Sequence, residues 1–440
     1  MINFLRFTDL TLSKSQNKLS NLICFFLGYY TAPKLPAGWY SAWAAICYII
    51  LTFLVYKRRA NFLYIASKDW IIISLVGLAI LSGFWSTDAG VTLRYSRALV
   101  ASTAFGIYLS SVFKFEKQTR ILLNFFALII VINLLFPIFI PFYRASITHF
   151  GYFAWVGIQR HKNELSGAMS LATSLLLTFG LFGETLAIRR RALFFAFLGF
   201  LLLWLSEGKG SLAVFCGSLV LLPLYKIVCQ KHKESILLLT IFIYLCISVA
   251  VATILSMEFI IVDLLGKSLE LNSRTPLWEL LIERGMTRPL GFGYGGFWIN
   301  LEEAKIVADQ FHWIGGVGEG GGNAHNGYVE LFLQLGFPGV ILLGIHVVST
   351  VIRVVFLFAR EKKIEYLCML QFLVVMIVTN YYESYSAFLS YRNWFWVLYV
   401  AISYSSIMAI KNLAKPKTIP QPELYLMDKF DQTSKNPWLY

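Results

Sequence analysis

Long apolar runs, most of them roughly 16–23 residues, recur along this chain. A segment of that length crosses a ~30 Å hydrocarbon core as a helix whose backbone groups all pair within it, which lipid demands because it offers no partners of its own. Windowed hydropathy predicts about twelve such spans. They cover residues 19–32, 37–56, 70–85, 97–113, 121–140, 165–182, 192–205, 211–225, 236–256, 336–358, 366–382 and 394–410. The fold class expected is therefore all-α, a polytopic integral membrane protein with one long external loop. Hydrophobic residues make up 58% of the 440 positions and charged ones 14%, too apolar for a soluble surface. No cleavable signal peptide is expected, because the first apolar stretch lacks a small-residue processing site.

A formal charge of +14 would suggest nucleic acid as a partner in a soluble protein. Here the basic residues fall in alternate short loops, the positive-inside pattern, so no nucleic-acid partner is expected. Lys57, Arg58, Arg59 and Lys68 follow the second span, and Lys114, Lys117 and Arg120 the fourth. Arg189, Arg190 and Arg191 follow the sixth, Lys226, Lys231 and Lys233 the eighth, and Arg360, Lys362 and Lys363 the tenth; Lys411, Lys415 and Lys417 lie in the tail. With alternating spans all these clusters share the cytoplasmic side, as do both termini. The chain then divides into a cytoplasmic start (1–18), spans one to nine (19–256), an external, periplasmic loop (257–335), spans ten to twelve (336–410) and a cytoplasmic tail (411–440) expected to be disordered. Cys24, Cys47, Cys216, Cys229, Cys246 and Cys368 show no paired or metal-like spacing and read as small core hydrophobes.

Loops inside compact membrane domains are short, so the long external segment is where function is sought. Thr275 as N-cap, Pro276 at the first helical position and Gly285 just past the end predict a short helix over 276–284. GFGYGGFW, from Gly291 to Trp298, formally has GxGxxG spacing. No strand precedes it and no amphipathic helix follows, so tight turns between aromatic anchors are the reading taken, not a dinucleotide loop. The run 315–323, GGVGEGGGN, reads as a gate or as mere slack ahead of His325.

Cations kept outside against the positive-inside bias are expected to face a polyanion or a hydrated cavity. They are Arg94 and Arg97 after the third span, Arg144, Arg160 and Lys162 between the fifth and sixth, and Lys209 between the seventh and eighth; Arg274, Arg284 and Arg288 lie in the long loop, and Arg392 before the last span. A lipid diphosphate fits this set. A glycosyl diphosphate carries a good leaving group, so its transfer needs fixed positive charge on the departing diphosphate and a base for the attacking hydroxyl. Arginine suits the first task through its bidentate fork, and histidine the second, with an unperturbed pKa of about 6.5. No cofactor is expected: this chemistry requires no metal, and the loop has no HExxH or DxD spacing.

The segment HNGYVELFLQLG, with its His-x10-Gly spacing from His325 to Gly336, resembles the signature of the O-antigen ligase and Wzy-type polysaccharide polymerase superfamily. RTPLW at 274–278 and PLGFGYGGF at 289–297 resemble its Arg-x-x-x-Trp and Gly-rich elements. WSTDAGVTLRYSRAL near the third span and HKNELSG at 161–167 are similar to the exopolysaccharide-polymerase branch. The resemblance implies a metal-independent, inverting transfer from undecaprenyl diphosphate in the bacterial inner membrane, with the active site on the periplasmic face. It implies His325 as the catalytic base and Arg274 as a diphosphate-binding residue. The family's second cation, an arginine in a Ser-Arg-Gly turn, corresponds to Lys209, which keeps the charge and loses the fork. Arg160 and Lys162 complete the expected diphosphate set, with Asn326, Glu330, Arg288, Arg94 and Arg97 in support.

Plainer roles stand beside these. His325 could merely cap span ten, and Asn326 is the more natural cap. Glu330 would suit the first helical turn on macrodipole grounds alone. Arg274 could pair with Glu279 or Glu283 and Lys209 with Glu207, while His346 reads as a polar packing residue within span ten. The expected partners are the lipid-linked glycan donor, a glycan or lipid-glycan acceptor, the bilayer, and other export components. Polymerase is favoured; ligation to lipid A-core, transfer to a protein hydroxyl, and non-catalytic transport of a lipid-linked glycan remain open.

Overall fold

The computed structural model describes residues 26, 37–139, 146–147, 153–230, 274–299, 302–311, 314, 322–384, 388–390 and 393–414. The expected spans 19–32 (but for Phe26) and 236–256, Arg144, Arg392, most of the glycine run 315–323 and the tail from Lys415 lie outside the described residues. Apart from a two-stranded antiparallel ribbon pairing β1 (Ser146–Ile147) with β2 (Phe153–Ala154), the regular elements are helical. In order they are α1 (Ala37–Lys57), α2 (Arg59–Ala66), α3 (Trp70–Leu81), α4 (Ala89–Val112), α5 (Phe115–Phe139), α6 (Lys162–Phe182), α7 (Leu186–Leu205), α8 (Lys209–Leu219), α9 (Leu222–Gln230), α10 (Arg274–Met286), α11 (Glu302–Gln310), α12 (Gly327–Glu361), α13 (Ile364–Tyr382) and α14 (Trp394–Ala414).

Six stretches among the described residues are long and apolar enough to cross a membrane: α5, α6, Lys209–Cys229 (α8 with α9), α12, α13 and α14. The pair Ser41–Lys57 and Arg59–Ala66, bent by 93°, makes a seventh if counted as one span. The expected spans 97–113 and 192–205 are helical within α4 and α7 but fall short of that test, and 70–85 forms a short apolar helix. Arg94, Arg97 and several hydroxyls dilute α4, and the Arg189–Arg191 run occupies the first turns of α7. Large apolar side chains such as Phe53, Phe197, Trp204, Ile341 and Ile352 face outward, as lipid contact requires. Cys47 and Cys368 are buried, as expected of core hydrophobes, whereas Cys216 and Cys229 are exposed, against that expectation.

Small residues let the helices approach. A Cβ on Gly106 of α4 would sit 2.7 Å from the Val397 carbonyl of α14, so only glycine fits that crossing. The expected helix 276–284 is longer than its cap signals indicated: α10 takes in Arg274 and Thr275 and runs through Gly285 to Met286. Gly285 does not stop it. That glycine makes room for the Phe332 ring, which a Cβ would meet at 2.5 Å.

Span ten likewise begins earlier than residue 336. α12 starts at Gly327, capped by the Asn326 side chain, which accepts from the amides of Tyr328 and Val329. It breaks at Gly336, whose φ of 60° and ψ of −156° are open to glycine. The glycine-rich loop fills the break: the Phe337 amide donates to the Pro289 carbonyl, and the amides of Phe292 and Gly293 donate to the carbonyls of Leu333 and Gln334. Backbone groups freed by the break at Gly336, and by the missing amide of Pro338, are thereby satisfied from outside the helix.

His346 lies in the body of α12, fully buried, with Nδ1 at 2.6 Å from the Tyr399 hydroxyl and Nε2 at 2.8 Å from Asp69 Oδ2. Ser403 donates to the same carboxylate, and Arg353 donates to Ser403 and Thr350 at 2.8 Å. This network ties the start of α3 to α12 and α14. Removing one partner of a buried hydrogen-bonded carboxylate leaves it unsatisfied, at a cost of about 1–3 kcal/mol or more. His346→Ala is therefore expected to lower the thermal unfolding midpoint in detergent markedly, and an unchanged midpoint would show that the network is dispensable.

Candidate functional site

α13 ends at Tyr382, and the next residue, Glu383, caps it with extended backbone and an amide bond to the Thr379 carbonyl. Its side chain is only 5% exposed. Oε1 accepts from Arg274 Nη2 at 3.0 Å and from Asn163 Nδ2 at 2.6 Å, while Oε2 lies 3.4 Å from His325 Nδ1. Arg274 also donates through Nη1 to the Tyr382 carbonyl. One carboxylate thus gathers the first residue of α10, the first turn of α6 and the residue before the α12 cap.

Burial by itself would raise the Glu383 pKa. The His325 ring, 3.4 Å away, and the Arg274 charge outweigh it and hold the carboxyl below its usual range. Within a neutral ring, an anion facing Nδ1 selects the tautomer with its proton on that nitrogen and leaves Nε2 as the acceptor.

His325 is fixed by its backbone as well. It has φ of 46°, a left-handed conformation uncommon outside glycine, and its amide donates to Asn323 Oδ1, which also accepts from Ser384 Oγ. Glu330, one turn into α12, accepts from Trp298 Nε1, the Ala324 amide and Gln334 Nε2. Trp278 of α10 donates to the Ala324 carbonyl at 2.9 Å. Glu330 and Asn326 thus hold the His325 turn, the one by gripping the loop before it and the other by capping the helix after it.

The remaining predicted cations divide into two groups. Arg160 and Lys162 flank His161, the N-cap of α6, and Arg160 gives its amide to Glu164 at 3.1 Å. Lys209 opens α8, where Gly210 packs on the Tyr382 ring and Ser211 reaches the Tyr382 hydroxyl at 3.4 Å and Ser166 at 2.8 Å. Arg160 and Lys209 are exposed. By contrast, Arg94 lies over the Tyr95 ring and Arg288 over the Phe292 ring, and Arg97 is exposed on α4.

The N-termini of α6, α8 and α12 therefore converge on the C-terminal end of α13, and each helix start adds a partial positive charge to the cations already there. Arg189–Arg191, Lys226, Arg360, Lys363 and Lys411 lie at or near the other ends of these helices. A clustered positive field with a histidine acceptor inside it is suited to a polyphosphate ester whose cleavage is coupled to proton transfer. Glu383 was not singled out from the sequence. Its one signal there is an acid among external aromatics in NYYESYS, just past an apolar span.

Residues 192–344 match the family model described as O-Antigen ligase. That interval contains Lys209, Arg274, Arg288, His325, Asn326 and Glu330. The chain is also 24% identical over 331 residues to the exopolysaccharide production protein ExoQ of Rhizobium meliloti (strain 1021), a match covering 68% of this chain and 66% of that relative. It thus spans slightly less than two thirds of the relative's length. Together the matches support the likeness to the O-antigen ligase and polymerase superfamily, and with the apolar helices they describe a membrane-embedded protein related to surface polysaccharide biosynthesis.

A carboxylate whose folded pKa is depressed contributes stability above its unfolded value, about 4.3, and loses it as pH falls toward the folded value. Wild type should accordingly exceed Glu383→Gln in thermal midpoint at pH 7, with the gap closing as the pH is taken below about 4. A gap that does not change with pH would mean that the carboxylate is not held charged.

Proposed function

We propose that the chain is a membrane glycosyltransferase that polymerises undecaprenyl-diphosphate-linked oligosaccharide units at the periplasmic face of a bacterial inner membrane. The observation that carries this reading is the convergence of His325 and Arg274 on Glu383, among three helix starts and at the opposite end of the bundle from the basic loops. Both termini are cytoplasmic in this orientation.

The acceptor hydroxyl gives its proton to His325 Nε2 as its oxygen attacks the anomeric carbon. Attack comes from the face opposite the diphosphate, the anomeric carbon–oxygen bond breaks, and undecaprenyl diphosphate departs with the electron pair, so the anomeric configuration inverts. Glu383 holds His325 in the required tautomer and offsets the charge that the ring gains. Arg274, anchored by Glu383 and Tyr382, supplies fixed charge near the departing oxygens. Arg160, Lys162 and Lys209 complete the electrostatic clamp, Lys209 acting as a point charge. Fixed cations meet the charge demand of this leaving group, and the reading assigns no metal.

Transfer of a finished chain to lipid A-core is the second reading, favoured by the description of the matched family model. A deletion strain separates the two: loss of long chains with single repeats still attached identifies a polymerase, and full-length chains left on the lipid carrier identify a ligase. In either case His325→Ala should abolish glycosidic bond formation and let lipid-linked units accumulate. Arg274→Ala should lower turnover by about 10²–10³-fold, as expected for a lost charge-stabilising donor. Normal polymer from the His325 variant, measured with the protein correctly inserted, would remove the base from the mechanism.

A further inference from the structure

His161 does a task for which its side chain is a poor choice. As N-cap of α6 it accepts the Asn163 amide on Nδ1 at 3.2 Å, whereas Ser, Thr, Asp and Asn are the strongly preferred caps. What the imidazole adds is a second nitrogen on the far side of the ring. In the neutral ring an accepting Nδ1 places the proton on Nε2.

The surroundings give that proton a use. His161 stands between Arg160 and Lys162, retains exposed surface, and lies within electrostatic reach of Glu383, His325 and Arg274. Two residues on, Asn163 donates to the Glu383 carboxylate, so the cap and the catalytic cluster are joined through one turn of chain. Partial burial of the ring pushes the His161 pKa down, Glu383 pulls it up, and Lys162, His325 and Arg274 push it down further. Protonation would also convert Nδ1 to a donor and uncap α6.

We propose that His161 is a neutral hydrogen-bond donor to the substrate, offering Nε2–H to a phosphate oxygen of the lipid diphosphate while Nδ1 holds the first turn of α6. This rests on the glycosyl-diphosphate reading above. It gives the two histidines opposite roles, each set by the group that faces its Nδ1. A carboxylate leaves His325 Nε2 an acceptor; a backbone amide leaves His161 Nε2 a donor.

The test separates capping from ligand binding. His161→Ser keeps a capping oxygen and removes the distant donor, while His161→Ala removes both. Undecaprenyl diphosphate binding to the full-length purified protein is measured alongside thermal midpoint and polymer formation. His161→Ser should unfold at the wild-type temperature yet bind the lipid diphosphate on the order of 10–100-fold more weakly, the worth of a hydrogen bond to a charged group. His161→Ala should be weaker in binding and lower in midpoint. Wild-type affinity in His161→Ser overturns the proposal and leaves the cap as the whole role. Failure of the wild-type protein to bind the lipid diphosphate overturns it too, whereas wild-type binding without glycosidic bond formation overturns only the transferase reading.

Discussion

A single buried carboxylate organises the end of this bundle where α13 finishes. Without Glu383, the Arg274 guanidinium, the Asn163 amide and the His325 ring would have no common partner, and the ends of α6, α10, α12 and α13 would lose their shared reference point. The charge balance matters as much as the geometry. Helix starts and cations crowd this end and repel one another, and the Glu383 carboxylate offsets part of that field from within.

The membrane sets the terms on which this arrangement holds. Backbone irregularity at membrane depth is tolerated where other protein groups take up the freed hydrogen bonds. The described chain meets that condition at Gly336, where the glycine-rich loop supplies donors and an acceptor to the interrupted helix. It meets a related one at His346, whose ring nitrogens both have partners inside the bundle. The Asn326 cap and the Glu330 grip on Trp298 then carry the order of α12 out to the residue expected to do the chemistry.

What the sequence revealed followed from patterns with local causes. Apolar length, the Asn326 cap and the Glu330 turn position all depend on neighbours within a few residues, and they could be read directly. The number of spans was less legible: hydroxyls and Arg97 thin the apolar signal of α4, and Arg189–Arg191 that of α7, although both helices pack in the bundle. Gly285 misled because a helix stop and a close helix contact ask for the same residue, and only the position of Phe332 tells them apart. Glu383 was missed for a different reason. Its bond to Arg274 joins positions 109 apart and its bond to Asn163 positions 220 apart, and no periodicity within either segment encodes such a meeting. Arg274 was instead weighed against Glu279 and Glu283, the acids that helical spacing brings near it.

The break at Gly336 divides α12 into unequal lengths that answer to different neighbours. The longer portion is gripped by the bundle through His346 and Arg353, while the short portion ahead of the break is fastened by backbone bonds to residues 289–293. Mechanically, the histidine turn rides on the glycine-rich loop as on a bracket, with the lower helix as the wall behind it. Any shift of that bracket is passed directly to the imidazole, and the membrane-buried column need not move at all.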